Sequence, residues 1–352
     1  MNELTNRYWP AVKYLLVPYL FLLFLLFYPI PYEIAAPGGL TEVDHLVEIQ
    51  TVEQKVLSGS FSTTYVISIP RMTFFQFIIG TFSPFTDINK LQGPNLNYTN
   101  TEIIQIAYCD KATSVHAAII VAYQAAQIDN PSVQFGLDER VLVFGKTAGM
   151  TNYDQVGLCD DFVSMQGDQG VVTNYLEVGA NTTSGQTYTF TFRNSSGNEY
   201  FVDITKNAET NRFGLTFNRV YFVNKNQTFP TFTEVPNLVG GPSGGLLQAM
   251  HIYAQLIEGD LTKGLKIAGT GTISYNGSVG YIGGVKQKII TAYYNNVDLF
   301  FIPFLDANYI YDNYLEALRV CEEFGIDPTG WLIPVATFQQ AIDYLESLGG
   351  QS

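Results

Sequence analysis

Histidine is scarce in this chain: among 352 residues there are three, His45, His116 and His251. Basic side chains are also few, because Lys and Arg number 18 against 32 Asp and Glu, which gives a formal net charge of −14 at pH 7. Phosphate binding requires clustered basic side chains, whereas the Lys and Arg here are scattered. We therefore expect no nucleic-acid partner, and a catalytic site here has few histidines to use as a base.

Cysteine is equally sparse, and the three residues Cys109, Cys159 and Cys321 are far apart in the sequence. They form no CxxC pair and no Cys/His metal spacing, so the sequence predicts no metal site and three unpaired thiols. The tripeptide Gly145-Lys146-Thr147 resembles the end of a phosphate-binding loop. Such a loop needs glycine where Arg140 stands, so we expect neither a nucleotide nor any other cofactor.

One long apolar run is present near the N-terminus. Residues 14–32 carry no charge over about 19 positions, a length that spans a bilayer. Arg7 and Lys13 precede the run, and Glu33 is the first charge after it. The positive-inside rule then predicts a cytosolic tail at 1–13, a transmembrane anchor at 14–32, and a catalytic portion outside the cell membrane.

A cleaved signal peptide is the alternative for this segment. The best cleavage site follows Ala36, but Ile34 stands where a small residue is expected, and Pro37 would become the new terminus. The sequence therefore favours a retained anchor, with the lipid bilayer as a partner of the N-terminal helix.

After this run the pattern mixes strands and helices. The β-branched segment Ser60–Ile69 predicts a strand, and the small-residue segment Lys111–Gln127 predicts a helix. Thr187–Arg193 and Glu199–Thr205 predict two strands that pair across a turn at 194–197. Strands and helices alternate in the last third, which indicates an α/β layer, so the fold class is α+β with an α/β portion.

The segment Gly241-Pro242-Ser243-Gly244-Gly245 fits G-x-S-x-G, the pattern of a nucleophilic serine ahead of a helix. A histidine base would have to follow the serine, and only His251 does so. Eight residues along one helix is about 12 Å of rise, far beyond the ~3 Å of a nucleophile–base hydrogen bond. The sequence therefore excludes a Ser-His-Asp triad of that kind. A buried, neutral lysine is the remaining candidate, since burial lowers the pKa of an ammonium group.

Four segments together resemble the proteolytic domain of Lon-type proteases: GGPSGG, GTGTISYNGSVGYIGGVKQK, FFIP and WLIPVATFQQAIDYLESL. The resemblance is closer to the membrane-anchored, ATP-independent PDZ–Lon proteases of Gram-positive bacteria, the YlbL-like group. It implies that Ser243 is the nucleophile and that Lys288, 45 residues later, is the general base. It also implies that Thr270 hydrogen-bonds the lysine, with Gly241 and Gly244 as supporting residues. Two departures are Gly240, where ATP-dependent members carry an acid, and Gly244, where alanine is usual.

The middle of the chain resembles a divergent PDZ domain. The resulting domain layout is a protease domain interrupted by an insertion: 40–130 as its N-terminal part, 131–206 as the mostly-β PDZ-like domain, and 207–352 as the Lon-type catalytic part. Phe135-Gly136-Leu137 is the candidate loop for binding a peptide carboxylate, with an ordinary strand entry as the alternative.

These features predict an extracytoplasmic, membrane-anchored serine endopeptidase. Its Ser-Lys dyad would cleave peptides or exposed proteins without ATP. The resemblance leaves a homo-oligomer open. The alternative function is a PDZ-like peptide-binding protein on a catalytically silent Lon scaffold, although such a scaffold has no need to retain both Ser243 and Lys288.

Overall fold

The structure is a computed structural model, and it describes residues 2–44, 46–50, 55–235 and 240–349. His45 lies outside the described residues. The α-helices of the described residues are α1 Asn2–Phe27, α2 Phe74–Thr81, α3 Asn100–Asp129, α4 Gly245–Leu256, α5 Val285–Tyr294, α6 Asn313–Phe324 and α7 Phe338–Ser347.

Eleven of the described strands precede helix α4, and five follow it. In order they are β1 Tyr32–Glu42, β2 Val47–Gln50, β3 Ser60–Ile69, β4 Asp87–Lys90, β5 Gln134–Lys146, β6 Asp161–Gly167, β7 Gly170–Val172, β8 Thr187–Arg193, β9 Glu199–Thr205, β10 Leu215–Phe229, β11 Thr231–Glu234, β12 Lys266–Gly269, β13 Thr272–Ile273, β14 Val279–Gly280, β15 Leu299–Pro303 and β16 Leu332–Val335.

The first large sheet has the order β16-β15-β12-β3-β1-β4. The four strands from β16 to β3 run parallel, and β1 and β4 continue the sheet in antiparallel pairing. Successive side chains of a strand point to opposite faces, and the core follows this rule. Ile267 of β12 packs on the face that α3, α4 and α7 cover, whereas its neighbour Ala268 packs on the face that α5 covers. The mixed α/β architecture predicted from the sequence is confirmed here.

The second large sheet is antiparallel, in the order β10-β5-β6-β8-β9 with β7 beside β6. The predicted pair Thr187–Arg193 and Glu199–Thr205 forms β8 and β9 in full register. Strand β10 pairs with β5 from Lys146↔Leu215 to Gln134↔Phe229. This sheet therefore extends to residue 229, past the limit of 206 that the sequence suggested. Its assignment as a PDZ-like insertion stays a prediction.

The N-terminal helix differs from the expected anchor. Helix α1 ends at Phe27, and Tyr32 already begins β1, so residues 14–32 do not form one continuous helix. Apolar side chains such as Val17 and Phe21 are exposed on it. Within the described ranges, no helix combines the length and the apolar character needed to cross a membrane.

The cysteine prediction was wrong for two of the three residues. Cys109 of α3 and Cys159, in the loop before β6, form a disulfide across a sequence separation of 50, while Cys321 is a free, buried thiol. Spacing along the chain does not reveal such a pair, because the contact depends on how the second sheet packs on α3. The disulfide ties that sheet to the helix that also supports the candidate active site.

Candidate active site

The loop before α4 is held from two sides. On one side, Gly241 N–H donates to the carbonyl of Ala107 at 2.8 Å, and Ser114 Oγ donates to the carbonyl of Pro242 at 3.0 Å, so α3 fixes the loop. Gly241 has a φ of +88°, a conformation that glycine adopts without strain. On the other side, the carbonyl of Ser243 accepts from Gly271 N–H at 2.7 Å. Ser243 itself is partly exposed.

The space around Gly244, the residue after Ser243, explains why glycine stands there. A Cβ added at Gly244 would lie 3.1 Å from Thr63 Oγ1 and 3.3 Å from Gln248 Nε2, closer than most side chains allow. The alanine usual in Lon-type sites would therefore need the β3 threonine or the α4 glutamine to shift. Gly244 caps the helix without a side-chain hydrogen bond. Its N–H has no acceptor among the described residues, so it is available to a ligand.

Lys288 lies on the second turn of α5, which begins after the left-handed Gly284 at a φ of +68°. The residue is 3% exposed, and its helix neighbours Val285 and Ile289 belong to the hydrophobic cluster on this face of the sheet. Nζ donates a hydrogen bond to Thr270 Oγ1 at 2.9 Å. Because burial disfavours the ammonium form, the pKa of Lys288 falls to about 7. This lysine can be a neutral amine near physiological pH.

Thr270 connects the lysine to the serine loop. It follows β12 at the carboxyl edge of the parallel strands, and it is fully buried. Its hydroxyl donates to the carbonyl of Ser243 at 3.1 Å while accepting from Lys288. Helices α4 and α5 cover opposite faces of the sheet, so the serine and the lysine can approach each other only at this edge.

Ser243 and Lys288 line one cavity of about 530 Å³, together with the supporting residues Gly241 and Gly244. The hydrogen bonds found among the described residues do not include one between Ser243 Oγ and Lys288 Nζ. Catalytic hydrogen bonds are often long in unliganded enzymes and tighten when substrate binds. The arrangement places a hydroxyl, an amine of lowered pKa and a helix N-terminus around one space.

The other lysine of this helix points elsewhere. Lys286 Nζ lies 3.0 Å from Asp87 Oδ1 and forms an ion pair with it. The remaining described histidines also have other surroundings. His116 Nδ1 accepts from Val223 N–H at 3.0 Å inside the core, and His251 packs edge-on against Phe61. Neither histidine lines the cavity of Ser243.

The candidate carboxylate loop lies in a strand, which was the alternative for this segment, and its role in peptide binding stays a prediction. Phe135, Gly136 and Leu137 lie inside β5, where Gly136 is opposite Asn224 and Leu137 is opposite Val223 in β10. The pairing with β10 occupies the backbone groups on one side of this segment, while β5 pairs with β6 at Leu142↔Asp161. Gly136 is needed for close packing, since a Cβ there would lie 2.2 Å from Gln227 Oε1.

Thr63 and Gln248 are among the polar residues of the cavity that sequence reasoning missed. Both are buried, and within the described chain Thr63 Oγ1 and Gln248 Oε1 have no hydrogen-bond partner. The available signal was Gln248 itself, a polar residue within the mostly apolar and buried first two turns of α4. Unpaired acceptors in a cavity beside a candidate nucleophile are suited to receive donors from a bound chain.

Comparison with known proteins finds similarity in the C-terminal part of the chain. Residues 233–320 match the family of the Lon protease (S16) C-terminal proteolytic domain, a segment that contains Ser243, Thr270 and Lys288. A Lon protease of Mesomycoplasma hyopneumoniae (strain 232) is 33% identical over 105 residues, which are 30% of this chain and 11% of that protein. A Lon protease of Ureaplasma parvum serovar 3 is 38% identical over 72 residues, or 20% of this chain and 9% of that protein. The similarity thus covers a small share of each relative.

Proposed function

We propose that this chain, whose residues 233–320 match a Lon proteolytic domain, is a serine endopeptidase with Ser243 as nucleophile and Lys288 as general base. The observation that carries the proposal is the lysine: it is buried, its pKa is lowered to about 7, and it lines the same cavity as the serine. An amine of this kind is a base near neutral pH, whereas an ordinary surface lysine is not.

The proposed chemistry is acyl transfer in two steps. Lys288 Nζ takes the proton of Ser243 Oγ as the oxygen forms a bond to the substrate carbonyl carbon. The oxyanion is positioned to accept from Gly244 N–H at the start of α4, where the helix dipole also favours negative charge. The peptide C–N bond then breaks, and the lysine ammonium returns the proton to the leaving amine. Water releases the acyl group by the reverse sequence.

We propose that the reaction does not use ATP. The one sequence that resembles a phosphate-binding loop has a different role, since Lys146 is buried and lies 3.1 Å from Glu102 Oε1. Lys146 Nζ also donates to the carbonyls of Tyr153 and Val156. This lysine is therefore occupied by structural contacts. Substrates would have to be flexible peptides or exposed protein segments, because an enzyme without ATP has no means to unfold them.

Incubation of the full chain with unstructured peptides, followed by mass spectrometry of the products, tests the activity. The wild type should release new termini, Ser243→Ala should release none, and Ser274→Ala, a serine in the nearby β-hairpin, should behave as wild type. A peptide boronate, which forms a tetrahedral adduct with an activated serine, should inhibit the wild type. Equal cleavage by wild type and Ser243→Ala would show that another site or a contaminant acts.

The proposed location is the outer side of a membrane, with attachment through the N-terminal helix. Its support is the charge asymmetry around residues 14–32, the exposed apolar side chains of α1, and the Cys109–Cys159 disulfide, since disulfides persist in oxidising compartments. Protease added to intact spheroplasts should digest the chain beyond Glu33. Complete protection, with digestion only after lysis, would refute this location.

A further inference from the structure

A second cavity adjoins the catalytic one. It has a volume of about 520 Å³, and Val66 and Gly283 line both cavities. The catalytic cavity also contacts Thr64 of β3, and the second contacts Ser68 of the same strand. Four residues of extended strand span about 13 Å, so an extended peptide bound at Ser243 reaches the second cavity within about four residues.

The second cavity is formed by one face of the first sheet and the two helices above it. Alternate residues of three strands supply its floor, and α5 and α6 supply its cover: Glu33 and Ala35 of β1, Val66 and Ser68 of β3, Asp87 and Asn89 of β4, and Gln287 and Glu316 of the helices. The strand register explains the grouping. Ala35 lies opposite Ser68 on one side and opposite Asp87 on the other, so these side chains share a face.

The charges in this cavity are negative and only partly compensated. Asp87 pairs with Lys286 at 3.0 Å. Neither Glu33 nor Glu316 has an ion pair within 4.0 Å in the part of the chain that the structure describes. Burial raises the pKa of both glutamates; at Glu316, Arg319 opposes the rise and Asp87 adds to it. A cation that enters the cavity would offset the free-energy cost of burying both carboxylates in their charged form.

A buried amide provides independent support for a ligand here. Gln287 is fully buried, and its Nε2 faces three acceptors: Asp87 Oδ2 at 2.8 Å, the carbonyl of Phe85 at 3.2 Å and that of Ala35 at 3.5 Å. These contacts fix the amide orientation. Its Oε1 has no partner among the described residues and lies 3.4 Å from the Cβ position of Gly284, a wall of the cavity. Gln287 Oε1 is thus an acceptor without a partner in a cavity that also holds the carboxyl groups of Glu33 and Glu316.

We propose that this cavity is a substrate subsite for a lysine or arginine side chain located within about four residues of the cleaved bond. The proposal rests on the proposed function, because it assigns a specificity to that active site. A long cationic side chain supplies the donors that Glu33, Glu316 and Gln287 Oε1 lack, while its aliphatic stem lies along Val66.

Matched peptides test the subsite. One cleaved peptide is made in versions that carry lysine or norleucine at each of four positions on either side of the cleaved bond, so that length is kept and charge is removed. These peptides are N-terminally acetylated. A second set with a free N-terminus reveals whether a terminal amine occupies the cavity instead of the lysine side chain. At one position, lysine should raise kcat/KM by about 10-fold over norleucine.

Two isosteric variants assign the preference to the cavity. Glu316→Gln and Glu33→Gln should each reduce the lysine preference towards unity and leave cleavage of the norleucine peptide within about 2-fold. Glu322→Gln is the control, since it removes the same charge from an exposed position on the same helix. Melting temperatures of all variants exclude a folding defect as the cause.

The outcomes separate this proposal from the proposed function. If the wild type cleaves no peptide and forms no boronate adduct, the proposed function fails. If it cleaves peptides in a Ser243-dependent manner but treats lysine and norleucine alike at all eight positions, the subsite is refuted and the protease remains. A lysine preference that persists unchanged in both glutamate variants also refutes it, as does a preference satisfied by the unacetylated terminus alone.

Discussion

Thr270 Oγ1 accepts a hydrogen bond from Lys288 Nζ at 2.9 Å and donates one to the carbonyl of Ser243 at 3.1 Å. The direction matters, because a neutral amine that donates one N–H to the threonine keeps its lone pair available for another proton. The threonine can therefore orient the proposed base without competing for its lone pair, since its own hydroxyl proton is directed to the serine carbonyl.

Thr270→Val tests this orientation. Valine preserves shape but removes the hydroxyl, so kcat should fall by about 10- to 100-fold with little change in KM. Thr270→Ser keeps the hydroxyl and should retain most of the activity. A valine variant with normal kcat and an unaltered pH profile would show that the threonine is only a packing residue.

The pH dependence of peptide cleavage should follow Lys288. Because the pKa of its side chain is about 7, the lysine is protonated below that pH and a neutral base above it, so kcat/KM should rise with a midpoint near 7. Lys288→Arg should lose about 10²- to 10⁴-fold at every pH, since a guanidinium does not deprotonate. Lys266→Arg, at a half-buried position outside the cavity, is the matched control. Near-normal turnover by Lys288→Arg would exclude the lysine as the base.

Burial of Lys288 should also appear in the stability of the protein. The lysine has a pKa near 10.4 when unfolded and about 7 when folded, so between these values the unfolded chain binds the extra proton. The free energy of unfolding should therefore rise with pH across this window, and the cost of burying the ammonium is complete below pH 7. Lys288→Met should be more stable than wild type at pH 6, on the order of 1.4 kcal/mol for each pKa unit.

Denaturant unfolding of both proteins from pH 6 to 10 gives the comparison. The advantage of the methionine variant should shrink as the pH rises towards 10, because the folded lysine is already neutral and deprotonating the unfolded lysine costs less free energy at each higher pH. A stability difference independent of pH would mean that the lysine is not desolvated in the folded protein.

The order of residues within a short segment was enough to predict elements that neighbouring residues in the sequence define, such as a hairpin or a helix start. Strands β8 and β9 were predicted to the residue, because alternating residues flank a turn with a glycine at 197. Helix α3 was predicted in part: it begins at Asn100 rather than at Lys111. A capping box between Thr99 and Glu102 marks its start, a signal present in the sequence but obscured by the aromatic segment before it.

The failures concern contacts between distant segments. The disulfide and the extension of the second sheet to residue 229 each depend on β10 or on the loop before β6 meeting a partner far along the chain. Likewise, the acidic cavity joins β1, β4 and α6, which no spacing in the sequence connects. The placement of Ser243 and Lys288 came from segments resembling a known family, and the structure brings both to one cavity. Their catalytic roles stay a prediction.

The second sheet offers the last test, since we expect it to capture protein substrates rather than to support the active site. Lys146 and Leu215 are opposite each other at the end of β5 and β10, so residues 147–214 can be replaced by an Asn-Gly turn that leaves this strand pair joined. Cys109→Ser accompanies the excision, because the partner Cys159 is removed. The excision removes nearly all of the buried core residues of this sheet together with their strands. The hydrogen bonds from α3 that hold Gly241 and Pro242 remain.

Cleavage of a short peptide by this variant should stay within about 3-fold of cleavage by the full chain carrying Cys109→Ser alone. Cleavage of an unfolded protein should fall at least about 10-fold, a loss of roughly 1.4 kcal/mol of binding. Equal loss on the peptide and the protein would show that the sheet stabilises the protease instead of delivering its substrates.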